Sequence, residues 1–119
     1  ACNRLLEKGK ITRQPLKKKV AAVSAGIVKG ETLLDLCYVE DAAADVDCNV
    51  VLTEDGDFVE IQGSGEEATF TEPQLHSMLE VSRKGIGELC ALQDQVIQAA
   101  MKPASGNQLQ NLASFFAKK

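Results

Sequence analysis

Five carboxylates crowd one short stretch of this chain. Between Leu33 and Val51 stand Asp35, Glu40, Asp41, Asp45 and Asp47, with apolar residues on either side. Such a cluster among strand-like runs is costly unless a divalent metal, a basic partner or open solvent compensates its charge. Asp41 and Asp47 are the pair whose spacing can be tested against chemistry. In an ideal strand their separation puts them on one face but about 20 Å apart. In an ideal helix they lie about 9 Å apart along the axis and on different faces. Neither arrangement brings both to one ion. A bend between them would, and Ala42, Ala43 and Ala44 are small enough to permit a tight turn. Converging carboxylates repel and raise one another's pKa. Mg2+ or Mn2+ removes that repulsion, and Mg2+ is typically held by one or two carboxylates with waters and substrate phosphates completing its shell. The chemistry implied is phosphate-ester chemistry. Alternatively, one carboxylate stays protonated and serves as a general acid. An acidic loop in open solvent is the plainer reading of the same residues.

The other reactive side chains point nowhere so definite. Cys2, Cys37, Cys48 and Cys90 are widely spaced, with no C-x-x-C and a single histidine, His76, to join them. A zinc site is therefore not expected. Three of the four lie in apolar runs and read as buried free thiols. His76 reads as a surface or packing residue. Charge is uneven. Arg4, Lys8, Lys10, Arg13, Lys17, Lys18 and Lys19 fall within the first nineteen residues, whereas no Lys or Arg stands between Lys29 and Arg83. A basic flank on an acidic domain could meet phosphates, with Arg13, Lys17, Lys18 and Lys19 as candidates. The alternative is a solvated linker.

The elements that must position these residues are legible in outline. Residues 1–9 read as the end of a helix capped by Gly9, and this opening suggests a fragment or processed piece. Pro15 keeps the next stretch irregular. Val20–Val28 is short and apolar on both faces, as a buried strand should be. A turn at Lys29-Gly30-Glu31 leads to a second strand, Thr32–Tyr38, then an acidic connection over 39–47. Cys48–Thr53 and Phe58–Gln62 are further strands joined by the hairpin signal Asp55-Gly56. Thr71, Glu72, Pro73 and Gln74 form a complete helix start. Apolar residues then recur at Leu75, Met78, Leu79, Ile86, Leu89, Cys90, Val96 and Ile97, giving one helical face. Gly85 and Gly87 weaken that helix, which close packing on a sheet would explain. Residues 1–100 form one domain, and 101–119 a tail or short docking helix. The fold class expected is α+β, a largely antiparallel four-stranded sheet covered by one long C-terminal helix.

With 119 residues, 45% of them hydrophobic, the chain is long enough for one domain or half of a larger one. Four Phe, one Tyr and no Trp leave the core to aliphatic residues. No apolar run approaches the length needed to span a membrane, and no signal peptide is visible, so a cytoplasmic protein is expected.

Four blocks carry a resemblance: VAAVSAGIV, the LDLCYVED run ending at Asp41, DCNVV from Asp47, and FVEIQGSGE with the RKGIGEL helix beyond. In this order they resemble the C-terminal half of the bacterial ribonuclease PH family, over roughly residues 3–97. That family, with polynucleotide phosphorylase and the exosome core, comprises phosphate-dependent 3′→5′ exoribonucleases. The resemblance implies half of a ribonuclease PH fold. It implies inorganic phosphate as co-substrate, release of nucleoside diphosphates, and the extra 3′ nucleotides of tRNA precursors as substrate. It further implies a homo-hexamer when complete. Asp41 and Asp47 match the family's paired aspartates, which support the metal and the leaving group. Gln62, Gly63 and Glu66 match a strand-end motif, with Gly63 there for backbone geometry. Glu40 and Asp45 read as solvated or supporting.

The chain departs from the family at Ala42, Cys37 and Cys48, where Ser, Asp and Met are common; Ala42 forgoes a hydroxyl that could orient the carboxylate. The family's phosphate-binding loop lies in an N-terminal half that has no counterpart here. The expectation is a metal-bearing half that is inactive unless an N-terminal half of the same fold partners it. The alternative is a non-catalytic ring subunit or RNA-binding domain of an exosome-like assembly.

Overall fold

A computed structural model describes residues 1–66 and 68–101. The expected tail over 101–119 thus lies, beyond Met101, outside the described residues. The chain divides into two compact units, Ala1–Lys17 with Ala91–Lys119, and Lys18–Cys90.

In the first unit, helix α1 covers Cys2–Glu7. Gly9 ends it at φ 65°, and its N–H returns to the Leu6 carbonyl at 3.0 Å. This is the left-handed cap that glycine adopts without penalty.

The second unit holds a four-stranded antiparallel sheet in the order β2-β1-β3-β4. Strand β1 is Val20–Val28, β2 Glu31–Leu34, β3 Val46–Thr53 and β4 Phe58–Gly65. The β1–β2 turn places Lys29 at φ 51° and Gly30 at φ 82°, both left-handed, as a tight hairpin requires. Along β3, Val46, Cys48, Val50 and Leu52 are buried while the alternate residues are not. That period of two assigns one sheet face to the core. Ala21, Ala25 and Ile27 of β1 join it.

Helix α3, Glu72–Met101, supplies Met78, Ile86 and Cys90 to the same core. Its start is the capping arrangement expected. The Thr71 N–H donates to Gln74 Oε1 at 2.8 Å, and the Gln74 N–H to Thr71 Oγ1 at 3.4 Å. A Cβ at Gly85 would come within 2.7 Å of Leu34 Cδ2, so this glycine does mark close helix–sheet packing. Gly87 is different: nothing lies near it, and packing does not explain it.

Three expectations need correction. The second strand stops at Leu34 and does not run to Tyr38. Asp35 adopts φ 58°, a left-handed conformation that Asp tolerates better than most residues, and this breaks the strand. The acidic connection is not a plain loop either: Tyr38–Ala42 is a short helix, α2. Cys48 and Cys90 are buried free thiols, but Cys37 is exposed and sits at the α2 N-cap. His76 is exposed. Among the described residues, no helix is long and apolar enough to cross a membrane.

Candidate functional site

Asp41 lies in α2 and Asp47 in β3, and the few residues between them make the bend. The Ala43 N–H bonds back to the Glu40 carbonyl at 3.1 Å and the Ala44 N–H to the Asp41 carbonyl at 3.2 Å. The chain then re-enters the sheet as the Asp45 N–H meets the Ile27 carbonyl at 2.9 Å. The turn folds the helix back on the strand, and the Asp41 carboxyl comes within hydrogen-bonding reach of Asp47.

Asp47 points to the sheet face opposite the α3 core, between its register partners Gly26 on β1 and Ser64 on β4. A Cβ at Gly26 would lie 2.6 Å from the Val46 carbonyl oxygen and 2.7 Å from Leu36 Cδ1. Only glycine lets Leu36 close over β1 beside the aspartate. The Asp47 carboxyl is pushed above its ordinary value. Partial burial contributes most, followed by the charge and hydrogen bond of Asp41, with Glu66 adding a smaller push. The Cys48 N–H pulls in the other direction. Asp47 Oδ1 is buried and has no hydrogen-bond partner. An orphaned carboxylate oxygen beside a second carboxyl suits a small divalent cation. Among the described residues, no group of three or more His, Cys, Asp or Glu could hold a metal. The pair would offer a divalent cation such as Mg2+ or Mn2+ two carboxylates at most and would leave the rest of its shell to water and phosphate.

Glu40 has a structural task. Its Oε2 accepts from the Cys37 N–H at 2.9 Å, which clamps the first turn of the helix carrying Asp41. Asp45 contributes backbone, its carbonyl accepting from the Glu66 N–H at 3.2 Å. That bond holds Glu66 near enough for its charge to reach Asp47, which strand-end spacing could not reveal. Gly63 was expected to serve backbone geometry, but what the structure shows there is packing: a Cβ would press on Phe70 Cζ at 3.2 Å.

The basic candidates separate into two groups. Lys18 Nζ lies 2.7 Å from Asp55 and 3.2 Å from Asp57, and Lys19 Nζ lies 2.8 Å from Glu54. Both lysines thus brace the β3–β4 turn. Lys19 holds the Glu54 carboxyl below its ordinary value through a direct hydrogen bond. Arg13 and Lys17 are exposed and make no ion pair among the described residues.

A family model described as the 3′ exoribonuclease family, domain 2, matches residues 19–85. The chain belongs to the 3′ exoribonuclease family. The matched span contains the whole sheet, α2 and both aspartates of the pair. The ribonuclease PH of Exiguobacterium sibiricum is 51% identical over 100 residues, covering 84% of this chain and 40% of that protein. The ribonuclease PH of Corynebacterium glutamicum is 57% identical over 89 residues, covering 75% of this chain and 36% of that protein. The shared part is the C-terminal half of ribonuclease PH, and the chain spans less than half the length of these relatives. Among solved structures, an Archaeoglobus fulgidus exosome with RNA bound to the active site matches with a TM-score of 0.55. It is 22% identical and covers 71% of this chain and 34% of that one, a likeness that shows the exoribonuclease fold.

Proposed function

We propose that this chain is the metal-bearing half of a phosphate-dependent 3′→5′ exoribonuclease that trims the extra 3′ nucleotides of tRNA precursors. The observation that supports this most directly is the convergence of Asp41 and Asp47 with Asp47 Oδ1 left unpartnered, in a chain of this family. In the reaction an oxygen of inorganic phosphate bonds to the terminal phosphorus. The bond to the neighbouring 3′ oxygen breaks, that oxygen takes a proton, and a nucleoside diphosphate departs. Asp41 and Asp47 would hold Mg2+ or Mn2+, which when bound stabilises negative charge on the phosphate being cut. Glu40 keeps α2 in place, so that Asp41 is presented to Asp47 without reorganisation.

Orienting the phosphate nucleophile needs a further site. On this reading the N-terminal half of the same fold supplies it, the complete enzyme is a cytoplasmic hexamer, and the chain by itself is inactive. The test supplies a ribonuclease PH N-terminal half in trans and measures phosphate-dependent release of nucleoside diphosphates from a tRNA with extra 3′ nucleotides. Activity that is lost in Asp41→Asn and Asp47→Asn is expected. An Asp47→Asn rate equal to that of the unaltered chain refutes the metal assignment. A fully assembled but inactive complex with both aspartates intact makes the chain a non-catalytic subunit.

A further inference from the structure

The helix that carries Asp41 also carries the most exposed large apolar side chain among the described residues. Tyr38 is 87% exposed, and Val39 beside it is 73% exposed. Tyr38 makes no hydrogen bond or ring contact among the described residues. Its backbone, by contrast, is tightly held. Cys37 before it is clamped by Glu40, and the Asp41 N–H closes the turn on the Cys37 carbonyl at 2.8 Å. Tyr38 and Asp41 are three residues apart on this helix, a spacing that makes their side chains neighbours, with Cβ atoms about 5–6 Å apart. A solvent-facing aromatic ring on a held backbone therefore stands beside Asp41.

The surrounding charge says what could cover it. Asp41, Asp47 and Glu66 are all acidic, and the sequence has no Lys or Arg from Gly30 to Ser82. A phosphate gains nothing from the chain at this place except through a cation held by the aspartates. A nucleobase brings no charge and offers a flat face, and stacking on an aromatic ring does not depend on which base it is. We propose that the Tyr38 ring is the stacking platform for a base of the RNA end whose phosphate lies at Asp41 and Asp47. This rests on the reading of the pair as an RNA-processing site and adds a positioning residue to it.

The chain permits a direct test, because Tyr38 is its one tyrosine and it has no tryptophan. Ultraviolet emission therefore reports on this ring alone. A single-stranded oligoadenylate with a free 3′ end is titrated into the whole chain with Mn2+ present, and emission is corrected against free tyrosine amide at equal RNA concentration. Affinity is read in parallel from the anisotropy of a 5′-labelled oligoadenylate. Quenching that saturates with binding is expected, together with about a tenfold loss of affinity in Tyr38→Ala and little loss in Tyr38→Phe.

Binding without quenching, or equal affinity in Tyr38→Ala, overturns the proposal, and so does no binding at millimolar RNA. If Tyr38→Ala changes the sedimentation of the chain and leaves RNA affinity alone, the ring belongs to a protein interface and the proposal fails. The metal reading is judged apart from these outcomes, by whether Mn2+ raises the melting temperature of the unaltered chain but not of Asp47→Asn.

Discussion

Gly26 stands directly opposite Asp47 across the β1–β3 ladder, where the backbone leaves no space for a side chain. The obstacle to a Cβ is partly the Val46 carbonyl, a backbone atom that cannot swing aside. Gly26→Ala is expected to destabilise the chain by about 1–3 kcal/mol through overpacking. Because Val46 precedes Asp47, the same change should also weaken stabilisation by Mn2+. Urea denaturation with and without Mn2+ measures both. An unchanged midpoint would mean that β1 and β3 part at no cost here.

The two glycines of α3 should respond in opposite ways. Gly87 lies exposed in a helix interior with nothing near it, so Gly87→Ala gains helix propensity of about 1 kcal/mol and raises the melting temperature. Gly85 is buried against Leu34, and Gly85→Val adds volume where there is none and lowers it. Calorimetry of the two variants reads the contrast. Equal signs would show that the packing at Leu34 yields freely.

How far the sequence revealed this architecture depends on what each residue needed. β1 was readable end to end, because its apolar run stands between a lysine cluster and a Lys-Gly turn. The α3 start was readable because capping is local chemistry within four residues. The β2 end was not, since the left-handed Asp35 depends on its N–H meeting the Ser24 carbonyl across the hairpin. α2 escaped for the same kind of reason: five residues carry too little periodicity, and its cap is a cysteine. The aspartate pair stood out from the five acids through the family resemblance, its spacing saying only that a bend would be needed. Its near neighbour Glu66 was not, because only the return of β4 brings it there.

Ion pairing should divide the basic candidates in RNA binding. Lys18 and Lys19 already face acids of the β3–β4 turn, whereas Arg13 and Lys17 do not. For single-stranded RNA, each phosphate neutralised adds about 0.7 to the slope of log affinity against log salt. Replacing Arg13 and Lys17 by Ala should flatten that slope by about 1.4, on the same footing. Replacing Lys18 and Lys19 should change it less and should loosen the turn instead. Equal slopes for the two double variants would dismiss the distinction.

The pH dependence of Asp47 supplies the sharpest test of the pair. Its carboxyl is raised in the folded chain by burial and by Asp41, and takes its ordinary value when unfolded. The folded state therefore binds this proton more tightly than the unfolded state does. The stability it contributes is full below the ordinary aspartate value of about 4 and is lost as pH rises through the raised value. Asp47→Asn abolishes that loss, because an amide does not ionise. With divalent ions chelated, the variant should gain on the unaltered chain as pH rises from about 4 to about 7. Adding Mn2+ should reverse the ranking, since an ion that binds only the folded pair stabilises by mass action. Urea midpoints across this range, with EDTA or Mn2+, give the difference curve directly, and titrations common to both proteins cancel in it. Parallel curves in EDTA would mean that neither burial nor Asp41 raises the Asp47 carboxyl in the folded chain. An equal Mn2+ shift in both proteins would place the ion elsewhere.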